Sequence, residues 1–263
     1  MVRPKKFLGQ HFLKDQNIAS KIVESLKLTK DRNFVLEIGP GTGVLTKLLM
    51  HKPDIDLHLA EIDRESVAYL KQNYPDLTDK ITEGDFLQMN LSTLTKEDIH
   101  VIGNFPYNIS SQIFFKVLEN RSQVRQVVCM LQKEVADRIA EKEGSKTYGI
   151  LSVLLQAYFN IEYLFKVPPG VFFPPPKVMS AVIRLTRNER TQLQCNETMF
   201  FKVVKQAFQN RRKTLRNALK PLNLPAQISK LEIMDLRAEQ LSVEQFILLT
   251  YNIEHASEGV RRV

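Results

Sequence analysis

Residues 34–50 constrain the fold more than any other part of the chain. Phe34-Val35-Leu36-Glu37-Ile38 reads as a short buried strand, Gly39-Pro40-Gly41-Thr42-Gly43 as a tight turn, and the stretch after it as a helix over 43–51. A strand, a glycine-rich turn and a helix open a Rossmann-like unit, where missing side chains let a ligand approach the backbone. The glycines stand as Gly-x-Gly-x-Gly, not in the Gly-x-Gly-x-x-Gly spacing of dinucleotide sites. Downstream, apolar runs predict strands at 57–62, 80–83, 99–103 and 124–130, with helices at 64–73, 109–119 and 132–142. Upstream, 17–28 has helical periodicity. Such alternation predicts an α/β fold, a Rossmann-like doubly wound and mainly parallel sheet, whose ligands bind beyond the carboxyl ends of the strands.

Candidate ligand-holding groups fall at those ends. The strand 57–62 ends in Glu61, followed by Asp63. An acidic residue about 20 positions after the glycines can accept two hydroxyl hydrogen bonds from a ribose diol. At Gly84-Asp85-Phe86, a carboxylate beside an aromatic ring can accept from an adenine amino group while the ring packs on its face. Then comes Asn104-Phe105-Pro106-Tyr107, preceded by the apolar run 99–102. An Asn-x-Pro-Tyr set at a strand end suits methyl transfer to the exocyclic amine of a planar base. The lone pair of that amine is delocalised into the ring, so the amine is a poor nucleophile. The Asn104 side-chain oxygen and the Phe105 carbonyl can each accept from it, favouring a pyramidal nitrogen. Pro106 biases Phe105 toward an extended backbone, and Tyr107 can stack on the base. The order of the four motifs fits S-adenosyl-L-methionine better than NAD.

After a predicted helix at 148–158, strands at 161–167 and 178–185 flank a proline-rich connection, suggesting an antiparallel hairpin at a sheet edge. Its prolines either stiffen a loop that offers an aromatic jaw opposite Tyr107, or form a rigid turn with Phe172 and Phe173 in the core. Beyond 187 a polar stretch leads into helices only, at 197–210, 213–219, 226–231 and 243–253. Two domains follow, 1–186 and a small all-α domain at 187–263. Basic residues gather around Arg211, Arg212, Lys213 and Arg216, suited to phosphate contact. The net charge of +8 and pI near 9.4 favour a polyanionic partner, nucleic acid before an anionic membrane. Cys129 and Cys195 offer neither a disulfide framework nor metal-ligand spacing, and no run has the length of a membrane span. No signal-peptide stretch follows the basic N-terminus, so a cytoplasmic protein is expected.

These motifs resemble the small-subunit ribosomal RNA adenine N6,N6-dimethyltransferases, the kasugamycin-resistance methyltransferases of bacteria. The resemblance runs through Phe7-Leu8-Gly9-Gln10-His11-Phe12-Leu13, Asn104 to Ser110, Leu131 to Val135, Phe173 to Val178, Ser180-Ala181-Val182, Phe208 with Arg211-Arg212-Lys213, and Arg237-Ala238-Glu239. It departs at His11, where many members carry Asn, and at Phe105, where Leu or Ile is usual. The resemblance implies a class I methyltransferase fold with a helical RNA- or ribosome-binding domain. It implies S-adenosyl-L-methionine held by Gln10, His11, Leu13, Gly39, Gly41, Gly43, Glu61, Ile62, Asp85, Phe86 and Asn104, and no metal. It places Asn104, Phe105, Pro106, Tyr107 and Phe172 at the target amine. The implied substrate is two adjacent adenines in the 3′-terminal hairpin loop of 16S rRNA, on an immature 30S subunit, with the enzyme a monomer. An RNA-binding assembly or transcription factor on the same fold is the alternative; an NAD oxidoreductase fits the glycine spacing less well.

Overall fold

The structure, a computed structural model, describes residues 2–29 and 31–256. The chain forms two compact units: residues 1–136 with 160–187, and residues 137–159 with 188–263. In chain order the first unit contains β1 (Phe12–Leu13), α1 (Gln16–Glu24), β2 (Asn33–Ile38), α2 (Thr46–Leu49), β3 (Ile55–Glu61), α3 (Arg64–Asn73), β4 (Ile81–Glu83), β5 (Ile99–Asn104), α4 (Ser110–Glu119) and β6 (Val124–Gln132). The chain leaves this unit within α5 (Lys133–Ala140), passes through α6 (Ile150–Gln156) and returns in β7 (Phe159–Val167), followed by β8 (Phe172–Phe173) and β9 (Ser180–Arg187).

Seven strands form one sheet in the order β4-β3-β2-β5-β6-β9-β7. The pairs β2–β3, β3–β4, β2–β5 and β5–β6 are parallel, and β9 is antiparallel to β6. Every residue of β2 is buried, as a parallel strand covered on both faces requires. Ala19, Ile22 and Val23 of α1 share an apolar core with Val35, Leu57, Leu59, Val128, Met130 and Val182. The chain winds outward from β2 through β3 to β4, then returns to β5 on the other side of β2. A ligand crevice is therefore expected where β2 and β5 end side by side. Gly103 serves this junction: a Cβ there would stand 2.5 Å from the Ile38 carbonyl oxygen.

Three local expectations change. The helix after the glycine turn is shorter than expected, Thr46–Leu49, and Gly43, at a φ of +78°, lies outside it. The sequence predicts no element before residue 17, yet β1 pairs antiparallel with β8, Phe12 opposite Phe173 and Leu13 opposite Phe172. The stretch 137–159, expected in the first domain, belongs to the second unit. The reason lies in α6, whose Leu151, Ser152, Val153, Leu154 and Leu155 are all buried. A helix apolar on all sides needs cover on all sides.

That second unit also holds α7 (Glu197–Gln209), α8 (Leu215–Ala218), α9 (Ala226–Ser229) and α10 (Val243–Glu254). Tyr148, Phe208 and Phe246 form a ring ladder with centroid separations of 6.2 and 5.9 Å. Asn196 caps α7 by accepting from the Met199 amide, and Ser242 with Gln245 forms a capping box on α10. Among the described residues, no helix is long and apolar enough to cross a membrane.

Candidate active site

A cleft lies over the carboxyl ends of β2, β3, β4 and β5, and the four motifs meet in it. Its wall includes Gly39, Gly41, Glu61, Ile62, Asp85 and Phe86 on one side and Asn104, Phe105, Pro106 and Tyr107 on the other. The N-terminal arm contributes Leu8 to Phe12, including Gln10 and His11.

The glycine turn divides its labour. Gly39 has a φ of +63° and open space where a Cβ would lie, so bare backbone faces the cleft. Gly41, at φ +57°, would press a Cβ to within 2.8 Å of the Phe12 ring. Gly43 does not line the cleft; its missing side chain makes room for the Tyr74 ring, 2.6 Å from an ideal Cβ. Gly43 is therefore a packing residue here, not part of the cleft wall.

Glu61 is only 3% exposed. Its Oε2 accepts from the Gly41 amide at 3.0 Å and its Oε1 from the Asp63 amide at 2.9 Å. Burial raises its pKa, and those two hydrogen bonds oppose the rise. Each carboxylate oxygen keeps a further lone pair, so a diol can still be held. Asp85 turns Oδ1 to the Leu87 amide at 2.9 Å, capping the short 3₁₀ turn Phe86–Gln88. Ile62, 49% exposed, and Phe86 give the wall apolar surface for a flat ring. Behind them Glu37 is fully buried, accepts from the Thr46 hydroxyl at 2.7 Å, and has its pKa pushed up to about 8 by burial.

The arm is latched at several points. Lys5 Nζ lies 2.5 Å from Asp63 Oδ1, and the Gln10 side chain accepts from the Lys5 amide at 2.8 Å. Asp63 also caps α3, accepting from the Glu65 amide and the Ser66 hydroxyl. His11 Nδ1 lies 2.8 Å from the Pro174 carbonyl, which can only accept, so Nδ1 carries the proton. Asn104 Nδ2 donates to the His11 carbonyl at 2.8 Å. That bond fixes the amide: nitrogen toward the arm, Oδ1 left as the acceptor. Tyr107 is tethered too, its hydroxyl 2.5 Å from Ser180 Oγ and its ring centroid 5.3 Å from that of His11. Ser180 is a site residue that its sequence position alone does not mark, because its link to Tyr107 spans 73 residues.

Besides Gly43, two expected members lie elsewhere. Leu13 and Phe172 are buried in the core, opposite each other on β1 and β8, and neither lines the cleft. Phe172 is 1% exposed, so it forms no jaw opposite Tyr107 in this structure; the alternation of β8 turns Phe173 outward instead, 57% exposed. In the second unit, Arg211 donates to the carbonyls of Tyr148 at 2.7 Å and Ser145 at 3.3 Å. Arg216 pairs with Asp235 and donates to the Ser229 carbonyl. These two cations are engaged within the unit, while Arg212 and Lys213 are exposed.

The profile described as "Ribosomal RNA adenine dimethylase" matches residues 1–254. A ribosomal RNA small subunit methyltransferase A of Flavobacterium johnsoniae is 57% identical over 261 residues, covering 99% of this chain and 98% of the relative. The protein of the same name from Cytophaga hutchinsonii is 56% identical, covering 95% and 96%. Among solved structures, a dimethyladenosine transferase from Plasmodium falciparum superposes with a TM-score of 0.78 at 27% identity, covering 95% of this chain and 99% of that one. With that likeness in sequence and fold, and with its four motifs gathered in one cleft, the chain belongs to the ribosomal RNA adenine dimethylase family and is an rRNA adenine methyltransferase.

Proposed function

We propose that the protein uses S-adenosyl-L-methionine to dimethylate the exocyclic amines of two adjacent adenines in the 3′-terminal hairpin loop of 16S rRNA. The enzyme works as a monomer in the cytoplasm, on an immature small subunit. The observation that carries the amine chemistry is the Asn104 amide, whose nitrogen is occupied by the His11 carbonyl at 2.8 Å. Its Oδ1 is thereby available to accept from an amine, beside Phe105-Pro106-Tyr107 at the same strand end. The small-subunit assignment is supported by the names of the relatives.

The cleft fits the cofactor. Glu61 is a buried acceptor pair suited to a ribose diol, Asp85 an acceptor for an adenine amino group, and Ile62 with Phe86 an apolar wall for the base. Bound there, S-adenosyl-L-methionine supplies a methyl group already activated by its sulfonium. The residues of this chain then need only position and polarise the target. Asn104 Oδ1 and the Phe105 carbonyl draw the amine toward a pyramidal geometry, and Tyr107 offers a ring face to the extruded base. A strong base is unnecessary, because an alkylated amine nitrogen is itself acidic. The test is mass spectrometry of 16S rRNA from cells with and without this protein. Dimethyladenosine in the 3′-terminal hairpin should vanish with the protein; its persistence would overturn the assignment.

A further inference from the structure

Large exposed hydrophobic side chains among the described residues are Phe7, Ile62, Phe173, Val178 and Met179. A single exposed apolar residue needs no explanation, but these five are not scattered. Phe7 adjoins Leu8 in the arm, and Ile62 lines the cleft itself. Phe173, Val178 and Met179 belong to the connection between β7 and β9, which is tied to the site at both sides. Pro174, next to Phe173, accepts from His11, whose ring faces Tyr107. Ser180, next to Met179, holds the Tyr107 hydroxyl. Phe173 also sits opposite Phe12 across the β1–β8 pair, and Phe12 lines the cleft.

We propose that the Phe173 ring is a stacking platform for an unpaired RNA base flanking the target adenine. This rests on the proposed RNA substrate and adds a contact to it. A base taken out of its stack leaves neighbours with exposed faces, and a flat aromatic side chain accepts any base face without regard to sequence. Its exposure of 57% leaves the ring accessible to such a base. The exposed Lys177 in the same connection supplies a cation for the adjoining phosphates. Phe172, buried one residue earlier, cannot take this role without leaving the core.

Three substitutions test it, each at an exposed position where folding is retained and checked by thermal melting. Phe173→Ala should raise KM for unmethylated small ribosomal subunits about tenfold, the equivalent of one stacked base. The turnover number and the affinity for S-adenosyl-L-methionine should stay within about twofold, since no kcat-determining contact is lost. Phe173→Leu, apolar but not flat, should behave as Phe173→Ala. Phe173→Trp should restore KM. The natural chain has no tryptophan, so this protein carries a single indole. Its emission should be quenched by an RNA hairpin with two unpaired adenines in its loop, and far less by a fully paired duplex. An unchanged KM in Phe173→Ala, wild-type behaviour of Phe173→Leu, or an unquenched indole with bound hairpin would each overturn the platform. A wild-type protein that binds RNA without transferring methyl would refute the proposed reaction, while the quenching still decides the platform.

Discussion

Asn104 and the His11 main chain share one hydrogen bond, Nδ2 to carbonyl at 2.8 Å across 93 residues of sequence. The strand end proposed to hold the target amine and the arm that borders the cleft are therefore tied by the Asn104 amide. His11 extends the coupling: its Nδ1 proton lies on the Pro174 carbonyl and its ring faces Tyr107.

Asn104→Ala removes the acceptor and the arm contact together. Loss of a hydrogen bond that strengthens in the transition state costs about 2.7–4 kcal/mol, so kcat should fall roughly 100- to 1,000-fold. The arm loses one neutral hydrogen bond, of about 1 kcal/mol, so cofactor affinity should weaken less than tenfold. Single-turnover methylation and equilibrium dialysis separate the two. Near-wild-type turnover would remove Asn104 from the mechanism.

Tyr107 and Ser180 provide a double-mutant cycle. Tyr107→Phe and Ser180→Ala each break the 2.5 Å hydroxyl pair, and each should raise KM for RNA through a less constrained ring. A net hydrogen bond contributes about 0.5–1.5 kcal/mol, and the double variant should lose little more than either single one. Fully additive losses would show that the two hydroxyls act independently.

Glu61→Gln tests the buried carboxylate. Both its oxygens already accept backbone N–H groups, from Gly41 and Asp63. A glutamine must turn its NH₂ toward one of those donors, leaving an unsatisfied buried group at a cost of about 1–3 kcal/mol. Melting temperature should drop, and calorimetry should show cofactor affinity falling by tenfold or more. Unaltered affinity would return Glu61 to a purely structural part in holding the glycine turn.

Much of this site was legible because its signals are local. A glycine turn after a buried strand, an acid at the next strand end, and Asn-x-Pro-Tyr at a third are each written in consecutive residues. What escaped depends on partners far away in sequence. The orientation of Phe172 and Phe173 follows from pairing of β8 with β1, about 160 positions earlier. Ion-pair partners are likewise separated in sequence: Arg184 pairs with Glu162, Arg187 with Asp98 and Arg190 with Glu244. The capture of 137–159 by the second unit reflects the all-round burial of α6, which an apolar run alone does not assign to one core or another.

Glu37 makes stability depend on pH. Its pKa is pushed up from the ordinary 4.5 to about 8, by burial against the opposing Thr46 hydrogen bond. Between those limits the folded protein keeps a proton that the unfolded chain releases. Stability is therefore greatest, from this group, below pH 4.5 and falls as pH rises to about 8. The slope is at most about 1.4 kcal/mol per pH unit. Urea unfolding from pH 5 to 8 should show this decline in the wild type and a shallower one in Glu37→Gln, which stays neutral throughout. Identical slopes would mean that Glu37 ionises in the folded protein as it does in solution.

The basic residues of the second unit separate into two kinds, and the separation is testable. Arg211 donates to the carbonyls of Ser145 and Tyr148, so Arg211→Gln should lower thermal stability as those part-buried acceptors lose a charged donor. Arg212 and Lys213 are exposed. If they contact phosphates, replacing both by Gln should leave the melting temperature within a degree or two while weakening RNA binding. Each lost phosphate contact should flatten the log–log salt dependence by about 0.7–0.9, a change that a folding defect would not produce. Cofactor affinity should not move in either variant, because none of these residues lines the cleft. A folded Arg212→Gln, Lys213→Gln protein with unchanged affinity and unchanged salt slope would place the RNA on another surface, and the remaining exposed cations would then be tested in the same way.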